Sequence, residues 1–146
     1  MATEPRIYTG RYQEVKRLPD KQAVRITVGY PRFMGAGLPT IKDLAPYGLM
    51  KETDQASFTE GYVALLEAKG VQRIAQQLDD LVASFAPKAI VLCCYEDLSK
   101  PGEWCHRQTF SRWWLERTEE LIPDLSGWDP AGCRSWWRDA DRLFGH

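Results

Sequence analysis

Histidine is scarce in this chain, and long apolar runs, paired cysteine knuckles and glycine fingerprints are missing from it. The only histidines are His106 and His146, the second being the last residue, so any mechanism that needs an imidazole rests on His106. No apolar run approaches the roughly 20 residues that a membrane helix requires. The opening MATEPRIYTGRYQ lacks the apolar stretch of a secretory signal. A cytoplasmic protein with no membrane partner is the expectation. Lys and Arg total 19 against 20 Asp and Glu, a formal net charge of -1, so no global positive field draws the chain to nucleic acid. A local basic patch and a smaller anionic ligand remain open. There is no Walker or dinucleotide glycine pattern and no nucleophile-elbow motif. Nothing Gly-rich follows Cys94 or Cys105, which excludes the phosphatase loop.

What is present is an ordinary globular composition. Of the 146 residues, 44% are hydrophobic and 27% charged, enough for one substantial core and against wholesale disorder. One domain over 1–146 is expected, with neither internal repeat nor linker. Cys93 and Cys94 are adjacent in an apolar run, where successive strand side chains point to opposite faces. With Cys105 and Cys133 they make a poor disulfide framework and read as buried thiols, a reactive thiol or metal ligands.

Along the chain, Ile7 to Tyr12 could form a short first strand. Val24 to Val28 alternates and is β-branched, predicting a strand that stops at Gly29-Tyr30-Pro31. The Gly- and Pro-rich stretch from Arg32 to Asp54 reads as a long irregular loop, more often functional than idle. Ser57-Phe58-Thr59-Glu60 has capping-box spacing and predicts a helix to Lys69 and Gly70. A second helix runs from Val71 to Phe85 on helical spacing and ends at Ala86-Pro87. Ala89 to Tyr95, apolar throughout, is typical of a central strand covered on both faces. Pro101-Gly102 marks a turn. A helix from near Cys105 then carries Phe110, Trp113 and Trp114 toward Ile122-Pro123. A last helix from Pro130 to Phe144 carries Cys133, Trp136 and Trp137. The expected fold is α/β: a small, mostly parallel sheet flanked by helices, with a Trp-rich C-terminal helical extension at about 124–146.

Chemistry concentrates at two strand ends. In open α/β sheets ligands bind outside the carboxyl ends of the strands. If the strands through Val28 and Tyr95 are parallel, Pro31-Arg32 and Tyr95-Glu96 reach the same edge, and Cys105-His106-Arg107 arrives there at a helix N-terminus. That terminus favours an anion, with Arg32 and Arg107 adding to the field. Glu96, just past a buried strand, is placed to act as an acid or base. His106 reads as its proton-transfer partner, Cys93 and Tyr62 as core, and Cys94 as either packing or site. Arg32 or Arg107 could instead be ion-pair partners of Glu96. A zinc site from Cys94, Cys105 and His106, with Cys93 or Cys133 as a further candidate ligand, ranks below a metal-free one because the spacing has no Cys-x-x-Cys knuckle. Phe110, Trp113 and Trp114 read as core ahead of a base-stacking surface.

The segments Arg25-Ile26-Thr27-Val28-Gly29-Tyr30-Pro31-Arg32, Leu44-Ala45-Pro46, Leu92-Cys93-Cys94-Tyr95-Glu96, Pro101-Gly102-Glu103-Trp104-Cys105-His106-Arg107 and Trp113-Trp114 together resemble the family called domain of unknown function 488. The resemblance covers about 24–114. Its most specific part is the cysteine-tyrosine-glutamate run followed by cysteine-histidine-arginine; Cys93 departs from it, standing where an aliphatic residue is usual. It implies a compact α/β fold with these motifs in one pocket, and a link to nucleic-acid processing. The leading expectation is a cofactor-free hydrolase or transferase on a nucleotide or nucleic-acid base, with cleavage or transfer at a glycosidic bond as one form of it. In it Glu96, His106, Cys94 and Cys105 are catalytic, and Arg32, Arg107, Tyr95 and Pro31 bind an anionic ligand. The alternatives are a non-catalytic module binding nucleotide, nucleic acid or protein, and a structural zinc domain.

Overall fold

The computed structural model describes residues 4–100 and 102–132. Three strands, β1 (Ile7–Arg11), β2 (Lys21–Arg25) and β3 (Ala89–Cys94), form a sheet in the order β1-β3-β2. Both pairings are parallel, with Ile7 opposite Ile90 and Lys21 opposite Ala89. All six residues of β3 are buried. Its unbroken apolar run is thus the signature of the central strand. Each edge gains a single further bridge, Thr9 with Asp124 and Arg25 with Thr40.

The pleat divides β3 between two clusters. Ile90, Leu92 and Cys94 join the larger core, beneath helices α2 (Gln55–Lys69), α3 (Val71–Phe85) and α4 (His106–Thr118). Val91 and Cys93 face Tyr12 and Val15 of the short α1 (Tyr12–Val15). The adjacent cysteines therefore lie on opposite faces of the sheet, as strand alternation requires. In the larger core Ile74 and Leu78 of α3 meet Tyr62 and Leu66 of α2 and Phe110, Trp113 and Trp114 of α4. The indoles of Trp113 and Trp114 are buried, with their N–H groups donated to Glu67 at 3.1 Å and Glu120 at 2.6 Å. They are core, as their helical spacing indicates.

Several boundaries differ from the sequence expectation: β3 ends at Cys94, one residue before Tyr95, and α4, expected to run through Glu120 to Ile122-Pro123, ends at Thr118 with Glu119 left-handed as its cap. The ladder of β2 begins at Lys21 and ends at Arg25, opposite Cys93 and three residues before Val28; β3 itself ends one residue further on, at Cys94. Helix α2 opens two residues before Ser57. Its cap is Asp54, whose carboxylate accepts from the Ser57 backbone N–H and hydroxyl, both at 2.8 Å. A carboxylate caps as well as a hydroxyl does, and it gains a further half-turn. Residues 124–132, the described part of the expected C-terminal extension, make the bridge to Thr9 and then turns rather than a helix. Pro123, Gly127 and Pro130 interrupt any helical run there. Cys133, Trp136-Trp137 and the rest of that helix, together with Pro101, lie outside the described residues. Among the described residues no helix is long and apolar enough to cross a membrane.

Candidate functional site

Because all three strands run the same way, their carboxyl ends share one edge, and a cleft of about 370 Å³ opens there. Small-molecule sites typically occupy about 300–1,000 Å³. Thr27, Val28 and Gly29 follow β2 into it, and Tyr95 and Glu96 follow β3. The long loop between β2 and α2 supplies Pro46, Leu49, Met50 and Glu52 as one wall. Gly61 lets that wall sit on α2: a Cβ there would come within 2.6 Å of Leu49 Cδ2. Opposite stand Phe58 and Trp104, their rings edge to face with centroids 5.2 Å apart.

The floor is Cys105 and His106, at the start of α4. Cys105 precedes the helix, and the Gln108 side chain reaches back to accept from its backbone N–H at 3.0 Å. The His106 imidazole is held from two sides. Nε2 donates to the Ile26 carbonyl at 2.7 Å, one residue beyond the β2 ladder. The Tyr62 ring stands edge-on at 5.3 Å. With Nε2 occupied in this way, Nδ1 is left to face the thiols. It lies 3.6 Å from Cys105 Sγ, while Cys94 Sγ stands beside the ring, 3.7 Å from Nδ1 and 3.6 Å from Nε2. Burial pushes the Cys105 thiol well above its ordinary range, and Cys94 beside it adds to the rise. Cys93, on the other face, is pushed up to about 12 by burial, and its thiol donates to the Val91 carbonyl.

Tyr62 is fully buried, as expected of a core residue, and its hydroxyl donates to the Leu44 carbonyl at 2.6 Å. Tyr62→Phe leaves that carbonyl unpaired in the core, a loss of about 1–3 kcal/mol. Chemical denaturation should read it as a lower midpoint at unchanged slope; an unchanged midpoint would mean that the carbonyl finds another donor.

Of the sequence-derived site residues, the fold brings Glu96, Tyr95, Cys105 and His106 to one cleft, with Cys94 directly behind His106. Arg32 and Pro31 do not join them. Arg32 is exposed on a 3-10 turn, Arg32–Met34, and neither residue lines the cleft. The β2 ladder ends seven positions before Arg32, and the chain has turned away by then. Arg107 is not a ligand-facing cation either. Its side chain is fully buried, Nε donating to Asp124 at 2.8 Å and Nη1 to the Glu96 carbonyl at 2.9 Å. The anticipated ion pair of Glu96 with Arg107 is thus replaced by one with Asp124, and among the described residues no ion pair engages Glu96.

Sequence reasoning missed Asp124 and Glu52, and it placed Glu103 and Trp104 in the motif without giving either a role. Glu103-Trp104 immediately precede Cys105, so their position beside the motif was the available signal. For Asp124 the signal is a lone carboxylate between Pro123 and Leu125. The cleft carries three carboxylates, Glu52, Glu96 and Glu103, and no lysine or arginine among its lining residues. Its field favours neutral or cationic groups over phosphate. Comparison of this chain with known protein families, curated proteins and solved structures returns no match.

Proposed function

We propose that the chain is an enzyme acting on a flat, nitrogen-rich ring, a nucleobase or its nucleoside, with Glu96 as the acid/base group of the cleft. The carrying observation is the cleft's composition: aromatic walls from Phe58, Trp104 and Tyr95, and polar groups that are carboxylates rather than cations. Aromatic side chains stack on any base through its π face. Carboxylates accept from exocyclic amino and ring N–H groups, and a carboxylate beside a reacting ring can take or return a proton. This reading keeps the base and gives up the phosphate anchor, since Arg32 lies outside the cleft and Arg107 is spent on Asp124. On the same reading the paired motifs at Cys94-Tyr95-Glu96 and Cys105-His106-Arg107 make the chain a relative of domain of unknown function 488.

The test is a titration of free bases, nucleosides and the matching 5′-monophosphates, followed by tryptophan fluorescence. A base or nucleoside should quench it, and Trp104→Phe should remove most of that quench. Monophosphates should bind no tighter than their nucleosides. A monophosphate preferred by about tenfold or more, worth about 1.4 kcal/mol, would show a cation at the site and reject this reading.

A further inference from the structure

Three potential metal ligands converge behind the cleft. Cys94 Sγ, Cys105 Sγ and a ring nitrogen of His106 all lie within 4.8 Å of one another, and all three residues are buried. They reach this point from two different elements, the end of β3 and the start of α4. The sequence offers this triplet but ranks it below a metal-free site, because it has no Cys-x-x-Cys knuckle. We propose that Cys94, Cys105 and His106 Nδ1 form a zinc site whose fourth vertex opens toward the cleft. The proposal stands on these side chains alone and does not depend on which substrate the cleft takes.

The distances fit. Zinc holds thiolate sulfur at about 2.3 Å and imidazole nitrogen at about 2.0–2.1 Å, so a tetrahedral site has a sulfur–nitrogen edge of about 3.5 Å. Cys105 Sγ lies 3.6 Å from Nδ1, close to that edge; Cys94 Sγ lies beside the ring, 3.7 Å from Nδ1 and 3.6 Å from Nε2, and turns toward Nδ1 when it ligates. The imidazole is also oriented as a ligand. Metal-bound histidines almost always donate the second ring N–H to a carbonyl or carboxylate, and here Nε2 donates to the Ile26 carbonyl. That bond keeps a proton on Nε2 and leaves the Nδ1 lone pair free on the side of Cys105.

Charge fits as well. Zinc binding releases one proton from each thiol, and the resulting centre of one dication and two thiolates is neutral. The fully buried Arg107 follows His106 directly, and its Nη2 has no hydrogen-bond partner among the described residues. Thiolates formed there would meet a cation already in place. Cys105 and His106 line the cleft whereas Cys94 lies behind them, so the unfilled direction is the cleft side. Structural zinc sites close all four vertices, and sites with three protein ligands keep one for water or substrate. The ligand set also separates the two neighbouring thiols, because Cys93 faces α1 on the opposite side of the sheet.

Untagged protein purified without chelator should carry about one zinc per chain by elemental analysis. After chelation, cobalt(II) should restore a sulfur-to-cobalt charge-transfer band and the intense visible bands of a tetrahedral ion. Cys105→Ser and His106→Gln should weaken metal binding by at least about 10–100-fold, the loss that removing an outer-shell partner alone can bring. Cys93→Ser should keep both the metal and the band. Folded parent protein, by near-ultraviolet circular dichroism, that binds neither zinc nor cobalt through sulfur overturns the proposal; so does equal loss in Cys93→Ser. X-ray absorption at the zinc edge of the parent needs no variant and covers the case of ligand variants that fail to fold. Two sulfurs at about 2.3 Å with two lighter neighbours are expected. Nitrogen and oxygen alone overturn the site, and three or four sulfurs overturn its open vertex.

Discussion

Asp124→Asn lowers stability by about 3–5 kcal/mol, the range measured when one partner of a buried ion pair is removed. In thermal unfolding this amounts to a fall in Tm on the order of 10–20 °C for a chain of this size. Both side chains of the Arg107–Asp124 pair are fully buried, so the loss of charge is not relieved by water. The carboxylate also accepts four hydrogen bonds. Oδ2 takes Arg107 Nε and the Thr9 hydroxyl, each at 2.8 Å. Oδ1 takes the Ser126 backbone N–H at 3.0 Å and its hydroxyl at 2.6 Å. An amide has one acceptor oxygen and an N–H₂ group that repels donors, so two of the four bonds go with the charge. The consequences extend to the cleft, because Arg107 also holds the backbone carbonyl of Glu96. A guanidinium released from Asp124 loses its fixed position beneath the loop that presents Glu96. A fall in Tm of less than about 2 °C, under 1 kcal/mol by the same conversion, would show the pair to be an incidental contact.

This strut marks the limit of what the sequence discloses. The central position of β3 was legible because a strand covered on both faces has no polar alternation, and Ala89 to Cys94 has none. The opposite facing of Cys93 and Cys94 followed from strand geometry alone. Helix α3 was legible to the residue, since Ile74 and Leu78 recur at helical spacing between Gly70 and Ala86-Pro87. The end of β2 was not. Alternation in Val24 to Val28 continues past the point where β3 stops supplying partners, and ladder length depends on both strands. The convergence of Glu96, Cys105 and His106 was legible from two strand ends expected at one edge of a parallel sheet. The roles of the arginines were not. Arg32 past a strand end and Arg107 at a helix start look equally suited to an anion. Only the fold decides that one projects into solvent while the other finds a carboxylate 17 positions away, brought alongside β1 by the Thr9–Asp124 bridge. The zinc triplet was named from the sequence but ranked low for a related reason. Ligand spacing is a guide where a short loop wraps the metal, and here the separation is spanned by the turn between β3 and α4.

Glu96→Gln separates catalysis from binding, and its expected signature is the reverse of that at Asp124. Among the described residues the Glu96 carboxylate has no ion-pair partner; what the fold holds is its backbone carbonyl, through Arg107 Nη1. The substitution keeps that carbonyl and nearly the same shape. Tm should therefore stay within about 2 °C, less than 1 kcal/mol for a chain of this size. Activity on the base or nucleoside that quenches Trp104 should fall by about 10²–10⁴-fold in kcat, the usual contribution of a positioned acid or base. A group that transfers a proton contributes mainly in the transition state, so binding of the same ligand should change by no more than about threefold. Two other outcomes would each remove Glu96 from the chemistry. A loss of affinity matching the loss of turnover would mean that the carboxylate only binds, and the chain would then be a recognition module for the ring it stacks. A fall in Tm comparable to that of Asp124→Asn would make Glu96 part of the same buried framework as Arg107, and the acid/base role would pass to Glu52 or Glu103, the other carboxylates of the cleft.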